Sequence, residues 1–356
     1  MAEDSGNLPS VLLHEQDTAS GQRIGVATLN AGKSLNALTL DMIRLLDPRL
    51  KAWALDPKIA CVVLCGTGDK AFCAGGDVRS LREAILAHQA PAPNPQAEAF
   101  FSEEYRLDYR IHTYPKPILV WGGGIVMGGG LGLLAGASHR VVTETSRIAM
   151  PEIGIGLYPD VGGSWFLRRM PGRTGLFLAL TGAALNGHDA LAVGLADFFL
   201  RAADRGALME HLGTVAWTDA PAANHAALSR ALRQFSGNAV ELRPASNVRT
   251  HAEAIERLTD GDTLAEVVAL ITGYRGEDAW LKKAAATLAS GSPTSAALIW
   301  AIWHRARHMS LAEAFRMELI VSLQCCEHPD FAEGVRALLV DKDNKPHWTP
   351  ATLPEV

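Results

Sequence analysis

Two short runs near the start of the chain, VLLHEQ and RIGVATLN, alternate apolar with polar positions and are joined by the turn-rich stretch 17–21. The pattern predicts a β-hairpin. Helical spacing follows over 35–53, where Leu38, Met42, Leu45, Leu46 and Leu50 recur on one face and Pro48 is placed to kink it. Residues 59–65 are apolar apart from two thiols, which predicts a strand buried on both faces. A turn and the segment KAFCAGGD lead to a helix over about 78–88. A proline-rich break at 91–95, expected to be an exposed loop, and a second helix over 98–112 follow. Another apolar run, 118–121, stops at two glycine triplets, as a buried strand feeding a tight turn would. Beyond it come a helical segment at 131–137, a strand at 140–143 and a helical run after Gly162. Asn186 and Gly187 then mark a turn, with Asp189 as helix N-cap. Strand and helix alternate in this way up to Leu200, which predicts an α/β core.

The pattern changes after residue 200. Residues 202–250 are alanine-rich and weakly patterned, reading as a connection with marginal helices, whereas 251–340 is almost wholly helical, with Ser292 and Ser310 as helix starts. We therefore divide the chain into a core at 1–200, a connecting segment at 201–250 and a helical C-terminal region at 251–356. A chain of 356 residues with 48% hydrophobic residues can bury such a core. No apolar run reaches the ~20 residues of a membrane helix, so no membrane partner is expected. The net charge of −5 leaves no broad basic surface, and no nucleic-acid partner is expected either; an anionic ligand needs a local cluster of Lys or Arg. The five cysteines are scattered, with neither a disulfide framework nor a metal-ligand spacing. The N-terminus, MAEDSGNLPS, has neither signal-peptide nor transit-peptide character, which predicts a cytoplasmic location. Homo-oligomer formation is left open.

Candidate chemistry concentrates between residues 116 and 164. Gly128, Gly129 and Gly130 open a short helix directly after a strand, where bare backbone N–H groups can face a ligand. A second glycine site, Ala74-Gly75-Gly76-Asp77, follows an independent strand. By itself it reads as a turn with Asp77 capping a helix; two such sites can converge as an oxyanion hole. Glu152, after Pro151 and among apolar neighbours, is a candidate for a carboxylate with a raised pKa. A surface glutamate is the ordinary alternative, as a turn or cap is for Asp160 and a solvated helix face for Glu104. The run Gly130-Leu131-Gly132-Leu133-Leu134-Ala135 matches a dinucleotide fingerprint, but its helix is too short and the following acid, Glu144, comes too early. His112, His139 and His188 are isolated and read as structural.

KAFCAGGDV, MGGGLGL and MPEIGIGLYPDVGGS together resemble the crotonase (enoyl-CoA hydratase/isomerase) superfamily, as do NAGKSLNALTLDM, LALTGAALNGHDALAVGLAD, SPTS and DFAEGVRALLVDKDNKPHW. The likeness covers most of the chain outside 202–277. With FSEEYRL it is strongest toward the 3-hydroxyisobutyryl-CoA hydrolase branch. It implies a crotonase-like spiral of ββα repeats with a helical C-terminal region, the core binding acyl-CoA. It implies hydrolysis of a short branched 3-hydroxyacyl-CoA thioester, with no cofactor beyond the CoA of the substrate and no metal. The N–H groups of Gly76 and Gly129 fall on the oxyanion hole, Glu152 on the catalytic glutamate, and Asp160 on the acid this branch adds. Glu104 falls on a substrate-contacting position, Ala74 and Val78 where adenine is held, and Lys33 on a loop that approaches CoA. Lys342 and Lys345 are further candidates for phosphate charge. One departure from the hydratases stands out: Gly132 occupies the place of their second catalytic glutamate. Three alternatives stay open: an isomerase or hydratase using Glu152 alone, a non-catalytic acyl-CoA-binding protein, and a dinucleotide-dependent oxidoreductase.

Overall fold

A computed structural model describes residues 9–88 and 93–356. The N-terminal stretch up to residue 8 and the first part of the proline-rich break, including Pro91, lie outside the described residues. The hairpin forms as expected. Strands β1 (Val11–Asp17) and β2 (Arg23–Leu29) pair antiparallel, with Val11 opposite Leu29 and Asp17 opposite Arg23. Helix α1 (Leu40–Leu55) starts five residues later than the spacing suggests, because Leu35 and Asn36 both adopt φ of 55°, which a helix cannot contain. The Thr39 side chain accepts from the Met42 N–H to cap α1, and Pro48 is accommodated inside it. Strand β3 (Ile59–Gly66) is buried along its whole length. Next come β4 (Ala71–Cys73) and α2 (Val78–Ala87), capped by Asp77. Helix α3 (Pro95–His112) begins inside the expected loop: Asn94 caps it through the N–H groups of Gln96 and Ala97, and Pro95 takes the first helical position.

The chain then winds through β5 (Ile118–Gly122), β6 (Ile125–Met127), α4 (Gly129–Ala135), β7 (His139–Val142) and β8 (Arg147–Ala149). Helices α5 (Gly163–Leu167) and α6 (Thr174–Thr181), strand β9 (Leu185–Asn186), helix α7 (Gly187–Ala192) and strand β10 (Phe198–Phe199) close the core. Asn186, not Asp189, caps α7; Asp189 is the third helical residue and answers from its own side chain to the Asn186 N–H. Successive turns of the chain deliver one strand to each of two sheets. The larger has the order β1-β2-β3-β5-β7-β10, parallel apart from β1, and the smaller β4-β6-β8-β9, parallel apart from β9. This is the expected spiral of ββα repeats.

Residues 201–250 are more structured than their composition suggests. Helices α8 (Arg205–Thr214) and α9 (Pro221–Ser236) lay Leu208, Leu212, Ala227, Leu228, Ala231 and Leu232 over one face of the larger sheet, against Ile24, Val63, Leu119 and Val141. The alanines let α9 approach the strands closely, which also makes its apolar face hard to read. Helix α10 (Asn247–Thr250) ends this segment, and the C-terminal region follows as α11 (Ala252–Leu258), α12 (Leu264–Thr272), α13 (Ala279–Ser290), α14 (Pro293–Arg305), α15 (Leu311–Glu327) and α16 (Pro329–Val335). Ser292 and Ser310 cap α14 and α15 as expected. Ile299, Phe315, Phe331 and Val335 from these helices join Val120, Leu131 and Ile153 in one continuous core. Each such side chain contributes about 1.5–3 kcal/mol when fully buried.

Candidate active site

The site is built where three neighbouring parallel strands of the smaller sheet end. Ligands favour the carboxyl ends of parallel strands, where loops can converge. Strand β4 runs into Ala74, Gly75 and Gly76; β6 into Gly128 and the start of α4; β8 into Met150, Pro151 and Glu152. Gly75 and Gly128 have φ of 115° and 47°, turns that side chains would strain. Around these ends opens a cavity of about 600 Å³, lined by all eight residues singled out above: Lys33, Ala74, Gly76, Val78, Glu104, Gly129, Glu152 and Asp160. Phe100, Phe101, Ile155 and Leu157 give it apolar walls.

The two glycine sites meet. A Cβ built on Gly129 would stand 3.4 Å from the Gly76 nitrogen and would collide with Glu104 Oε1. Among the described residues neither the Gly76 nor the Gly129 N–H is spent on a backbone partner. Gly130 lies directly against the Cys73 carbonyl, so any side chain there would drive α4 away from β4. At Gly132 a Cβ would lie 2.7 Å from Val161 Cβ and 3.0 Å from Asp108 Oδ2. A larger side chain at Gly132 would have to displace these groups.

Four acids face one another here. Glu152 is 5% exposed, its Oε2 has no partner, and its other oxygen lies 3.0 Å from where a Gly128 Cβ would be. Burial, followed by the Asp160 charge, holds its pKa well above the usual carboxylate range. Glu104 is equally buried, not solvated as a helix-face reading suggests, and is raised by burial and by the charges of Asp160 and Glu152. Asp108, one helical turn further along α3, has neither oxygen partnered and is raised by burial, then by Glu104, Asp160 and Glu318. Asp160 differs. Burial lifts it only to about 6, because the Tyr105 hydroxyl donates to its Oδ2 at 2.6 Å. The site thus holds a group that ionises near neutrality beside acids that keep their protons longer.

Several features escape a sequence reading. Arg79 lines the cavity and donates to the Leu339 carbonyl, and Leu338 and Leu339 themselves close one wall from the C-terminal region. Lys342 and Lys345 do not line it. Val161 carries a φ of 51°, rare for a β-branched residue, directly after Asp160. The turn that carries Glu152 is clamped from outside: the Ser292 N–H donates to the Ile153 carbonyl, and Gly334 packs against the Ile155 backbone. Ser292 Oγ in turn donates to Asp330 Oδ2 at 2.6 Å, which gives the SPTS segment a structural task. Of the isolated histidines, His139 bonds Ser229 and the His225 carbonyl and His188 the Pro244 carbonyl, both as structural links.

A two-sheet ββα spiral with paired glycine N–H groups over a buried glutamate defines a class of enzyme, and the chain belongs to it: the enoyl-CoA hydratase/isomerase family matches residues 24–356. Within that class it is similar to mitochondrial 3-hydroxyisobutyryl-CoA hydrolase of Danio rerio, 42% identical over 332 residues, covering 93% of this chain and 84% of that one. The Gallus gallus enzyme of the same name is 38% identical over 346 residues, covering 97% of this chain and 86% of the relative. Among solved structures, a carnitinyl-CoA dehydratase from Mycobacterium thermoresistibile superposes with a TM-score of 0.84 at 35% identity, covering 98% of this chain and 93% of that one. These relatives correct the expected cytoplasmic location. Both hydrolases are mitochondrial, and a location read from ten N-terminal residues does not stand against them.

Proposed function

We propose that this protein hydrolyses the thioester of a short branched 3-hydroxyacyl-CoA, with 3-hydroxyisobutyryl-CoA as substrate, yielding 3-hydroxyisobutyrate and CoA in valine breakdown. The observation that carries this reading is the exchange of acids around the cavity. Asp160 faces it beside Glu152, while Gly132 has no room for the second glutamate that addition to a double bond would use.

In this mechanism the thioester carbonyl oxygen accepts from the Gly76 and Gly129 N–H groups, which stabilise the negative charge of the tetrahedral intermediate. Glu152 either takes a proton from the attacking water or attacks the carbonyl itself to form a mixed anhydride that water then opens. The C–S bond breaks and CoA leaves as thiolate, which acquires a proton. Asp160 holds the 3-hydroxyl or shares the proton traffic, and Glu104 contacts the acyl group. Ala74 and Val78 hold adenine through their backbone, and Lys33 and Arg79, at the cavity, supply positive charge for phosphate. Residues 1–200 form the acyl-CoA-binding core, and 251–356 back and close it. No cofactor is assigned beyond the CoA of the substrate.

Thiol release measured over a panel of 3-hydroxyisobutyryl-, isobutyryl- and crotonyl-CoA tests the reading. The expected result is CoA release fastest from 3-hydroxyisobutyryl-CoA, with no change in crotonyl absorbance. Loss of the crotonyl double bond without thiol release would identify a hydratase, in keeping with the dehydratase whose structure this chain resembles. Binding without turnover of any ester would leave an acyl-CoA carrier.

A further inference from the structure

Behind Asp160 a chain of hydroxyl groups leads away from the cavity into the C-terminal region. Tyr105, on α3, is buried and donates to Asp160 Oδ2 at 2.6 Å. Its oxygen also lies 2.7 Å from Ser322 Oγ on α15. Ser322 is 0% exposed and stands 3.0 Å from the Tyr158 hydroxyl, which donates to the Glu318 carbonyl at 2.8 Å. A phenol has one proton and an ionised carboxylate only accepts. With Asp160 ionised, Tyr105 spends its proton there, and Ser322 donates to Tyr105. The Tyr105 ring packs against Phe101 and Phe315 at centroid distances of 5.8 Å each, contacts it would lose by swinging aside.

We propose that Tyr105 is a positioning residue for the reaction: oriented by Ser322, its hydroxyl holds the Asp160 carboxylate in one rotamer toward the acyl group. The inference rests on the hydrolase reading for what Asp160 does, but not for how Asp160 is held. The groups facing Asp160 are Glu104 and Asp108 on α3, Glu152 and Tyr158 on its own loop, and Glu318, Cys325 and Cys326 on α15. None of these carries positive charge. Burial therefore works against the ionised form, and the opposing effects are hydrogen bonds from Tyr105 and from the Asp160 backbone. Asp108 is equally buried and has no donor; burial, followed by the charges of Glu104, Asp160 and Glu318, holds it well above the usual range.

Tyr105→Phe keeps the ring and removes the donor. The titration of Asp160 is read directly by carbon NMR of the ligand-free full chain labelled at aspartate Cγ, the signal being assigned by its loss in Asp160→Asn. The midpoint is expected to rise by about one to two pH units in Tyr105→Phe. The acid limb of kcat/KM should move with it, while the far-ultraviolet spectrum stays unchanged. An Asp160 midpoint that does not move in the folded variant overturns the proposal. Should Tyr105→Phe not fold, 3-fluorotyrosine at position 105 supplies a more acidic donor, and the midpoint must then fall; an unmoved midpoint is again a refutation. Absence of thiol release by the wild type from every acyl-CoA would instead refute the hydrolase reading, and the titration would still judge Tyr105.

Discussion

Glu152 is a carboxyl group with one oxygen unpartnered inside an apolar wall, its pKa raised by burial and by the charge of Asp160. Such a group is a stronger base once ionised, because the water that would stabilise the anion is absent. Glu152→Gln preserves the shape and removes the base, so thiol release should fall by about 10²–10⁴, while calorimetry should still detect binding of the unhydrolysed ester. Turnover within a few-fold of wild type would exclude Glu152 from the chemistry. Asp160→Asn retains the acceptor that Tyr105 needs and removes the charge. It should slow CoA release strongly for 3-hydroxyisobutyryl-CoA and less for isobutyryl-CoA, which lacks the hydroxyl; equal losses on both would argue against a contact with that hydroxyl. The residues with these roles were legible because contiguous motifs bring them to the ends of adjacent strands. Tyr105, Ser322 and Glu318 were not, since their contacts to one another and to the loop of Asp160 join positions 55 to 217 residues apart. Nothing local marks a buried Ser on a helix as a partner of a distant Tyr.

At the scale of elements, the turn bearing Glu152 is held by segments more than 130 residues downstream. Ser292 both caps α14 through the Ser295 N–H and donates to the buried Asp330, whose other oxygen accepts from the Thr349 N–H. Ser292→Ala removes a cap and a hydrogen bond to a buried carboxyl group, which should cost about 2–4 kcal/mol in chemical denaturation. Alanine keeps the N–H that meets the Ile153 carbonyl. Without the Oγ bond to Asp330, however, the start of α14 is held less firmly against the Glu152 turn, so the same variant should lower kcat under conditions where it remains folded. Full activity in the destabilised variant would separate this clamp from catalysis. Caps at Ser292 and Ser310 could be read from sequence because a hydroxyl before a helical run is a local device. Helix α9 could not, because closeness to a sheet is achieved by alanine, which leaves little contrast between its faces. The start of α1 was misplaced for a different reason: left-handed Leu35 and Asn36 carry no glycine to announce them.

For the molecule as a whole, the carboxyl groups gathered between α3, the Glu152 turn and α15 link stability to pH. Burial raises Glu318 to about 8, against the donors at Gly162 and Ser164. A carboxyl raised in the folded state binds its proton more tightly there than in the unfolded chain. Its contribution to stability is complete below the unfolded value near 4.5 and is lost as pH rises through about 8. The wild type should therefore lose stability relative to Glu318→Gln between pH 5 and pH 9, measured as the difference in denaturation midpoint at each pH. A difference that stays constant or grows in favour of the wild type would show that Glu318 is ionised throughout.

The wall formed by Leu338 and Leu339 ties activity to the order of synthesis. Lys33 and Arg79 leave the ribosome early, Glu152 and Asp160 midway, yet the cavity they line has an open side until residues 338 and 339 have emerged. A growing chain can wind both sheets and expose a glutamate among apolar walls long before it can enclose an ester. Ribosome-bound chains halted before residue 338 should therefore bind acyl-CoA weakly and release no thiol, and activity should appear abruptly once that wall is in place.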